Sequence, residues 1–204
     1  MKKFYLIAAI AASAFVACEN DHDIDAGGPE PEAFEGVVLN ELSGSKKYIE
    51  LYNTTENDIV IYGAYLVKHD ASKDGGKSTT WTAAENMTIP AKGYLLLESS
   101  DLSDPAESDS DPNYKYESKN HIFKGGLSGK KNVYIEFYDG KNNKLDEFKR
   151  GDEGAGWNQV SGFKNDKNHS FSRVPDGGEW AYADPTPKAA NGTKVADIEQ
   201  TPEN

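Results

Sequence analysis

"NVYIEFYDGKNNKLDEFKR", residues 132 to 150, holds two short runs of alternating character around a polar centre. In the first run Val133, Ile135 and Phe137 fall on one side, and Tyr134, Glu136 and Tyr138 on the other. A period of two belongs to a strand with one face buried and one wet. The centre, "DGKNNK" at 139 to 144, reads as a hairpin turn with Gly140 available for positive φ. Similar β-branched and aromatic runs occur at "VVLNEL" (37–42), "YIELYN" (48–53), "DIVIYG" (58–63), "AYLVKH" (64–69) and "GYLLLES" (93–99). No segment after residue 18 keeps a helical stripe for three turns. Short strands separated by turn residues predict an all-β fold, a β-sandwich.

The strands lie within residues 36 to 192, a length of about 157 that suits one domain burying roughly 70% of its unfolded surface. Upstream, residues 19 to 35 hold seven carboxylates (Glu19, Asp21, Asp23, Asp25, Glu30, Glu32, Glu35) and no Lys or Arg. Such a stretch cannot bury enough apolar surface to fold, so 18–35 is expected to be a disordered acidic tether, its ends on the order of 20 Å apart. Residues 193–204, with "KVADIEQTPEN" at their end, read as a frayed tail.

The first eighteen residues place the chain. Lys2 and Lys3 precede fourteen uncharged residues, Phe4 to Ala17, and then comes Cys18, the only cysteine. A spanning helix needs about 20 apolar residues, so this run fits the core of an export signal. Phe15-Val16-Ala17-Cys18 resembles a bacterial lipobox, with small Ala17 before the cut and Phe15 where leucine is usual. The resemblance implies a signal peptide over 1–17 and a lipid on Cys18. One myristoyl chain gives reversible binding of only about 10⁴ M⁻¹, whereas the three acyl chains implied here anchor the protein to the membrane effectively permanently. With Cys18 acylated the exported domain has no thiol, hence no disulfide and no cysteine nucleophile. The acidic stretch that follows is either a solvated spacer or, by resemblance, the sorting signal of lipoproteins displayed outside Gram-negative cells. The expected location is the bacterial envelope, as an outer-membrane, surface-exposed lipoprotein.

Removing the signal takes Lys2 and Lys3 away from 22 basic residues and leaves 34 acidic ones, a formal net of −14. No Lys/Arg cluster is denser than Lys130-Lys131 or Lys149-Arg150. Polyanion binding needs a basic footprint, so nucleic acid is excluded as a partner.

Four motifs in order now resemble one known family. "VVLNELSGSKKYIELYN", "IPAKGYLLLES" and "GGLSGKKNVYIEFYDGKNNKLDEF" are similar to the opening strands, middle strand and later hairpin of the lamin tail domain. "SFSRVPDGGEWAYADPTPKAANG", 170 to 192, is similar to its closing signature: Arg-x-Pro-Asp-Gly, a Trp, then Thr-Pro-x-x-x-Asn. The resemblance covers 36–192 and implies an immunoglobulin-like β-sandwich, known from nuclear lamins and also from exported bacterial proteins. Ser172 and Lys188 stand where the family often has glycine. On physical grounds Pro175-Asp176-Gly177-Gly178 is a turn, Trp180 buries a ring, and Arg173 caps carbonyls or pairs with Asp176 or Glu41. These jobs describe a fold clasp more readily than a binding site.

Chemistry is sparse. His22, His69, His121 and His169 are scattered, and HExxH, GxSxG and GxxxxGK[ST] patterns are absent. No catalytic residue is assigned. The loop at 99 to 120 holds Asp101, Asp104, Glu107, Asp109 and Asp111, oxygen ligands for Ca²⁺ without EF-hand spacing. It is read mainly as a solvated, metal-free loop, with Asp104, Asp109 and Asp111 as the calcium candidates. With up-and-down strands, this loop, the loop at 70 to 80 and the 139–144 hairpin would share one end of the sandwich. Residues 150 to 168 at the other end carry Trp157 and Phe163, rings that either cover the core or stack on a sugar. The "RGD" tripeptide at 150 to 152 carries no weight.

The leading expectation is a non-catalytic, lipid-anchored envelope protein with a lamin-tail module for interaction or structure. The alternatives are a glycan-binding module of a surface uptake system, with Trp157 and Phe163 as ligand contacts, and an enzyme of unrecognised type, a cryptic phosphodiesterase or an accessory of an exported nuclease.

Overall fold

The computed structural model describes residues 29–69, 77–100, 119–129, 132–150 and 168–195. They form an all-β sandwich. The strands are β1 Val37–Ser43, β2 Tyr48–Asn53, β3 Ile59–Val60, β4 Tyr65–His69, β5 Lys77–Thr82, β6 Thr88–Ile89, β7 Tyr94–Ser99, β8 Ile122–Phe123, β9 Val133–Tyr138, β10 Lys144–Arg150, β11 Ser170–Val174 and β12 Glu179–Ala183. One sheet runs β12-β11-β1-β2-β7-β8, the facing sheet β10-β9-β4-β5, and β3 pairs with β6 at the side. All pairings are antiparallel except β7 with β8.

Alternation decides which side chains meet in the middle. Val133, Ile135 and Phe137 from β9 face Leu39, Leu42, Ile49, Leu51, Leu95, Leu97 and Phe171, all buried in one cluster. On β2 and β7 the intervening residues Tyr48 and Leu96 form a second, separate buried cluster on the far side of the larger sheet. That far side is buried because the end of the chain, residues 184–195, crosses it: Thr186 and Lys188 bond to side chains of β1 and β2, and Val195 N–H to Tyr182 O.

Several expectations change. Residues 77–80, expected within a loop, belong to β5, where Trp81 supplies the buried ring and Thr79 pairs with Val67. In the hairpin the left-handed residue is Asn142, φ 68°, rather than Gly140. Gly140 serves close approach instead: a Cβ there would lie 2.6 Å from Pro31 Cβ and 2.8 Å from Tyr62 O. Pro31 sits in that space and Phe34 packs on Phe137 at 6.3 Å between ring centroids, so contacts with the body begin before residue 36, within the expected tether.

The ends are also redistributed. Tyr65 pairs with Tyr138 and His69 with Tyr134, so the 139–144 hairpin lies at the pole where β4 starts and His69 at the opposite pole. Arg150 pairs with Val133, next to that His69 pole. β9 carries the chain from one pole to the other and β10 brings it back, which separates the hairpin from the ends of β4 and β7 and places the end of β10 beside them. Residues 29–34 are seated at the hairpin pole, where Glu30 lies 3.8 Å from Lys141.

Candidate functional site

Two constellations of polar side chains stand out. The first grows from a bulge. The β1–β2 register shifts between Leu39 and Glu41, so Asn40 is an extra residue, and Asn40 and Glu41 both avoid the inner core. Glu41 and Glu50 are then cross-strand partners, both fully buried. Glu41 accepts from Tyr48 OH at 2.5 Å and from Thr186 N–H and Oγ1 at 3.2 to 3.3 Å. Glu50 accepts from Asn40 Nδ2 at 3.2 Å and from Lys188 N–H at 2.7 Å. Asp176 accepts from Asn40 Nδ2, Asn191 N–H and Tyr94 OH, and Asn191 Nδ2 donates to Asn40 O and Arg173 O. Burial raises the pKa of Glu41, and it pushes Glu50 up to about 8 against the bonds from Lys188 N–H and Asn40.

Arg173 closes the side of the same network. Its Nη2 bonds both oxygens of Asp146 at 2.9 Å, Nε donates to Leu39 O and Nη1 to Gly178 O, and the guanidinium lies 4.6 Å from the centre of the Trp180 ring. Asp146 in turn accepts the Leu39 N–H at 2.9 Å. Carbonyl capping is as expected, but the carboxylate partner is Asp146 rather than Asp176 or Glu41. The crossing of β10 over the β1 bulge selects it. Gly177 takes the left-handed conformation, φ 70°. So does Lys188, φ 57°, at a position where glycine would be unstrained. Ser172, the other departure, is an ordinary buried strand residue between Glu41 and Ala181.

The second constellation covers the outer face of β10-β9-β4. Tyr65 stacks on Tyr138 at 4.9 Å and His69 on Tyr134 at 3.9 Å, and Lys149 lies 4.3 Å from the other face of Tyr134. Between the two aromatic rows His69 Nε2 meets Glu136 Oε2 at 2.7 Å, while Lys144 bridges Glu136 and Glu147. Burial works against the Glu136 charge, yet bonds from His69, Tyr134 and Tyr138 prevail and lower its pKa to about 2. A carboxyl held below its usual 4.5 contributes stability that is present above that pH and is lost as pH falls toward 2. Glu136→Gln is therefore expected to be less stable than the parent at pH 7, with the gap narrowing below pH 4.5 and much smaller at pH 2.5. Denaturant unfolding at both pH values measures this. Alternation within "NVYIEFYD" placed Tyr134, Glu136 and Tyr138 together, but only the β4–β9 pairing adds Tyr65 and His69 to them.

Cys18, Trp157, Phe163, Asp104, Asp109 and Asp111 all lie outside the described residues. Arg150 of the "RGD" tripeptide is buried, its Nη2 donating to Ser128 O and its guanidinium over the Phe171 ring. Among the described residues no three His, Cys, Asp or Glu side chains are grouped to hold a metal ion. Compared with known proteins, the chain matches no family model and no curated protein.

Proposed function

We propose that this chain is a lipid-anchored lipoprotein of the bacterial envelope, displayed from the outer membrane. In this reading its lamin-tail-like sandwich is a non-catalytic module for interaction or structure. The observation that carries the reading is the fate of the closing signature. Arg173, Asp176, Gly177, Trp180, Thr186 and Asn191 converge on a polar clasp that fastens residues 184–195 to β1 and β2, their polar atoms bonded to one another and to the strands. Residues with such a role explain a shared pattern without any shared reaction. The tyrosine face points the same way: Tyr134 is covered on one side by His69 and on the other by Lys149, which leaves neither face for a sugar ring.

Anchored through residue 18, the body would hang from its hairpin pole, where residues 29–34 are seated, and the ends of β4, β7 and β10 would point away from the membrane. Partners are then met at that far pole. Purified full-length protein is expected to show no saturable binding on a glycan array and no metal-dependent phosphodiester hydrolysis. Sugar binding abolished by Trp157→Ala would replace this reading with the glycan one, and hydrolysis would replace it with an enzyme.

A further inference from the structure

The clasp contains a feature that a purely structural fastening does not need. Two carboxyl groups, Glu41 and Glu50, stand directly opposite each other on adjacent antiparallel strands, both fully buried beneath residues 184–195. Directly opposed positions place Cβ atoms about 4.5–5.5 Å apart, and like charges there repel. A hydrophobic pair or a Gln in either position would fill the same space without that conflict. Moreover, the segment above is held by those same carboxyl oxygens, through the N–H groups of Thr186 and Lys188.

We infer that residues 184–195 form a pH-operated latch: a proton on the Glu41–Glu50 pair keeps the segment seated, and loss of that proton releases it and uncovers Tyr48 and Leu96. The hydrogen bonds say which carboxyl holds the proton. Glu41 receives three donor groups, Tyr48 OH, Thr186 N–H and Thr186 Oγ1, as an ionised carboxylate would. Glu50 receives two, Asn40 Nδ2 and Lys188 N–H, and takes the proton.

Asp176, from the β11–β12 turn, adds to the conflict. Tyr48 of β2 eases it by donating to Glu41, Tyr94 of β7 donates to Asp176, and Glu98 of β7 lies opposite Tyr48. Lys188, on the latch itself, is a cation that acts on Glu98 and works against the effect of burial there. Arg173 is engaged with Asp146. Burial raises Glu98 as well as Glu41 and Glu50, so a second negative charge on the pair is opposed by desolvation as well as by the first charge.

The direction follows from proton linkage. The seated state binds its proton up to pH of about 8, while a Glu50 exposed by opening titrates near its ordinary 4.5. Between those values the open state gains on the closed one by up to tenfold per pH unit, and above about pH 8 the ratio levels off. The latch is thus firm in mild acid and loose in mild alkali.

Trypsin reads this directly, because Lys188 and Lys194 lie in the latch. Full-length protein is digested at pH 5.5, 6.5, 7.5 and 8.5, and cleavage after Lys188 is divided by the rate for a free peptide of the same sequence. The expected result is a relative rate that climbs at least tenfold between pH 5.5 and 7.5 and flattens above 8. Glu50→Gln, which imitates the protonated acid, should cut slowly at every pH. Glu41→Gln removes the opposing charge, one of the causes that raise Glu50 beside its burial, and should shrink the climb even if Glu50→Gln does not fold. A flat wild-type profile, or an equal climb in the wild type and the folded variants, would overturn the latch.

Discussion

Arg173→Met is expected to lower the unfolding free energy by about 3–5 kcal/mol, the cost of breaking a largely desolvated ion pair from one side. In a domain of this size that is a fall in melting temperature of roughly 10 °C. The reasoning rests on what is left behind. Arg173 and Asp146 are 17% and 13% exposed, so water reaches neither well. Without the guanidinium, Asp146 keeps only the Leu39 N–H among the partners that hold it to β1, and the carbonyls of Leu39 and Gly178 lose a donor. Trp180 loses the cation over its ring. Arg173→Lys should rescue little, since one ammonium nitrogen cannot serve Asp146 and both carbonyls, which Arg173 reaches with three separate nitrogens. The double variant Arg173→Met/Asp146→Leu should recover part of the loss, because no charge is then stranded. Thermal unfolding of the parent, Arg173→Met, Asp146→Leu and the double variant forms the cycle, and additive losses would contradict the pairing.

Phe137→Ala should cost a similar amount, about 3–5 kcal/mol, for a different reason. Phe137 is fully buried near the hairpin end of β9, in register with Leu66 on one side and Asp146 on the other. Its ring faces the interior cluster and also meets Phe34, the residue that joins the entering chain to the body. Truncation leaves a cavity that two sheets fixed by ladders cannot close. It also removes the seat of Phe34, so residues 29–34 should become cleavable by protease along with the loss in melting temperature. A protein that melts lower while its entering segment stays protected would show that Phe34 is held by something other than this ring.

The inward and outward sides of β9 were legible because the strand alternates strictly, and those of β4 nearly so. β5 was not, because "KSTTWT" offers Trp81 as its only large apolar residue and merges into the polar run before it. The turn at Pro175–Gly178 could be read from its residue types, since Gly177 does take positive φ. What could not be read was the partner of Arg173. Asp146 is 27 positions away and reaches Arg173 only because β10 crosses β1 at the Leu39–Glu41 bulge, which leaves the Leu39 N–H and C=O outside the regular ladder. Glu41 and Glu50 each sit in an ordinary strand pattern, where a carboxylate normally means solvent. Their burial depends on where residues 184–195 go, and no local signal says that a segment reading "DPTPKAANGTKV" will cross that face. The tyrosine face was half visible in the same way: alternation sets the side of each ring, and pairing sets its neighbour.

The proposed function depends on how the sandwich is held, and therefore on one sulfur atom. Intact-mass and N-terminal peptide spectrometry of the protein recovered from the membrane fraction of its own host tests this directly. The expected result is a mature chain that begins at Cys18 and carries the mass of a diacylglycerol thioether and an N-acyl chain. A chain still beginning at Met1, or one starting near residue 18 without acyl mass, would contradict the account.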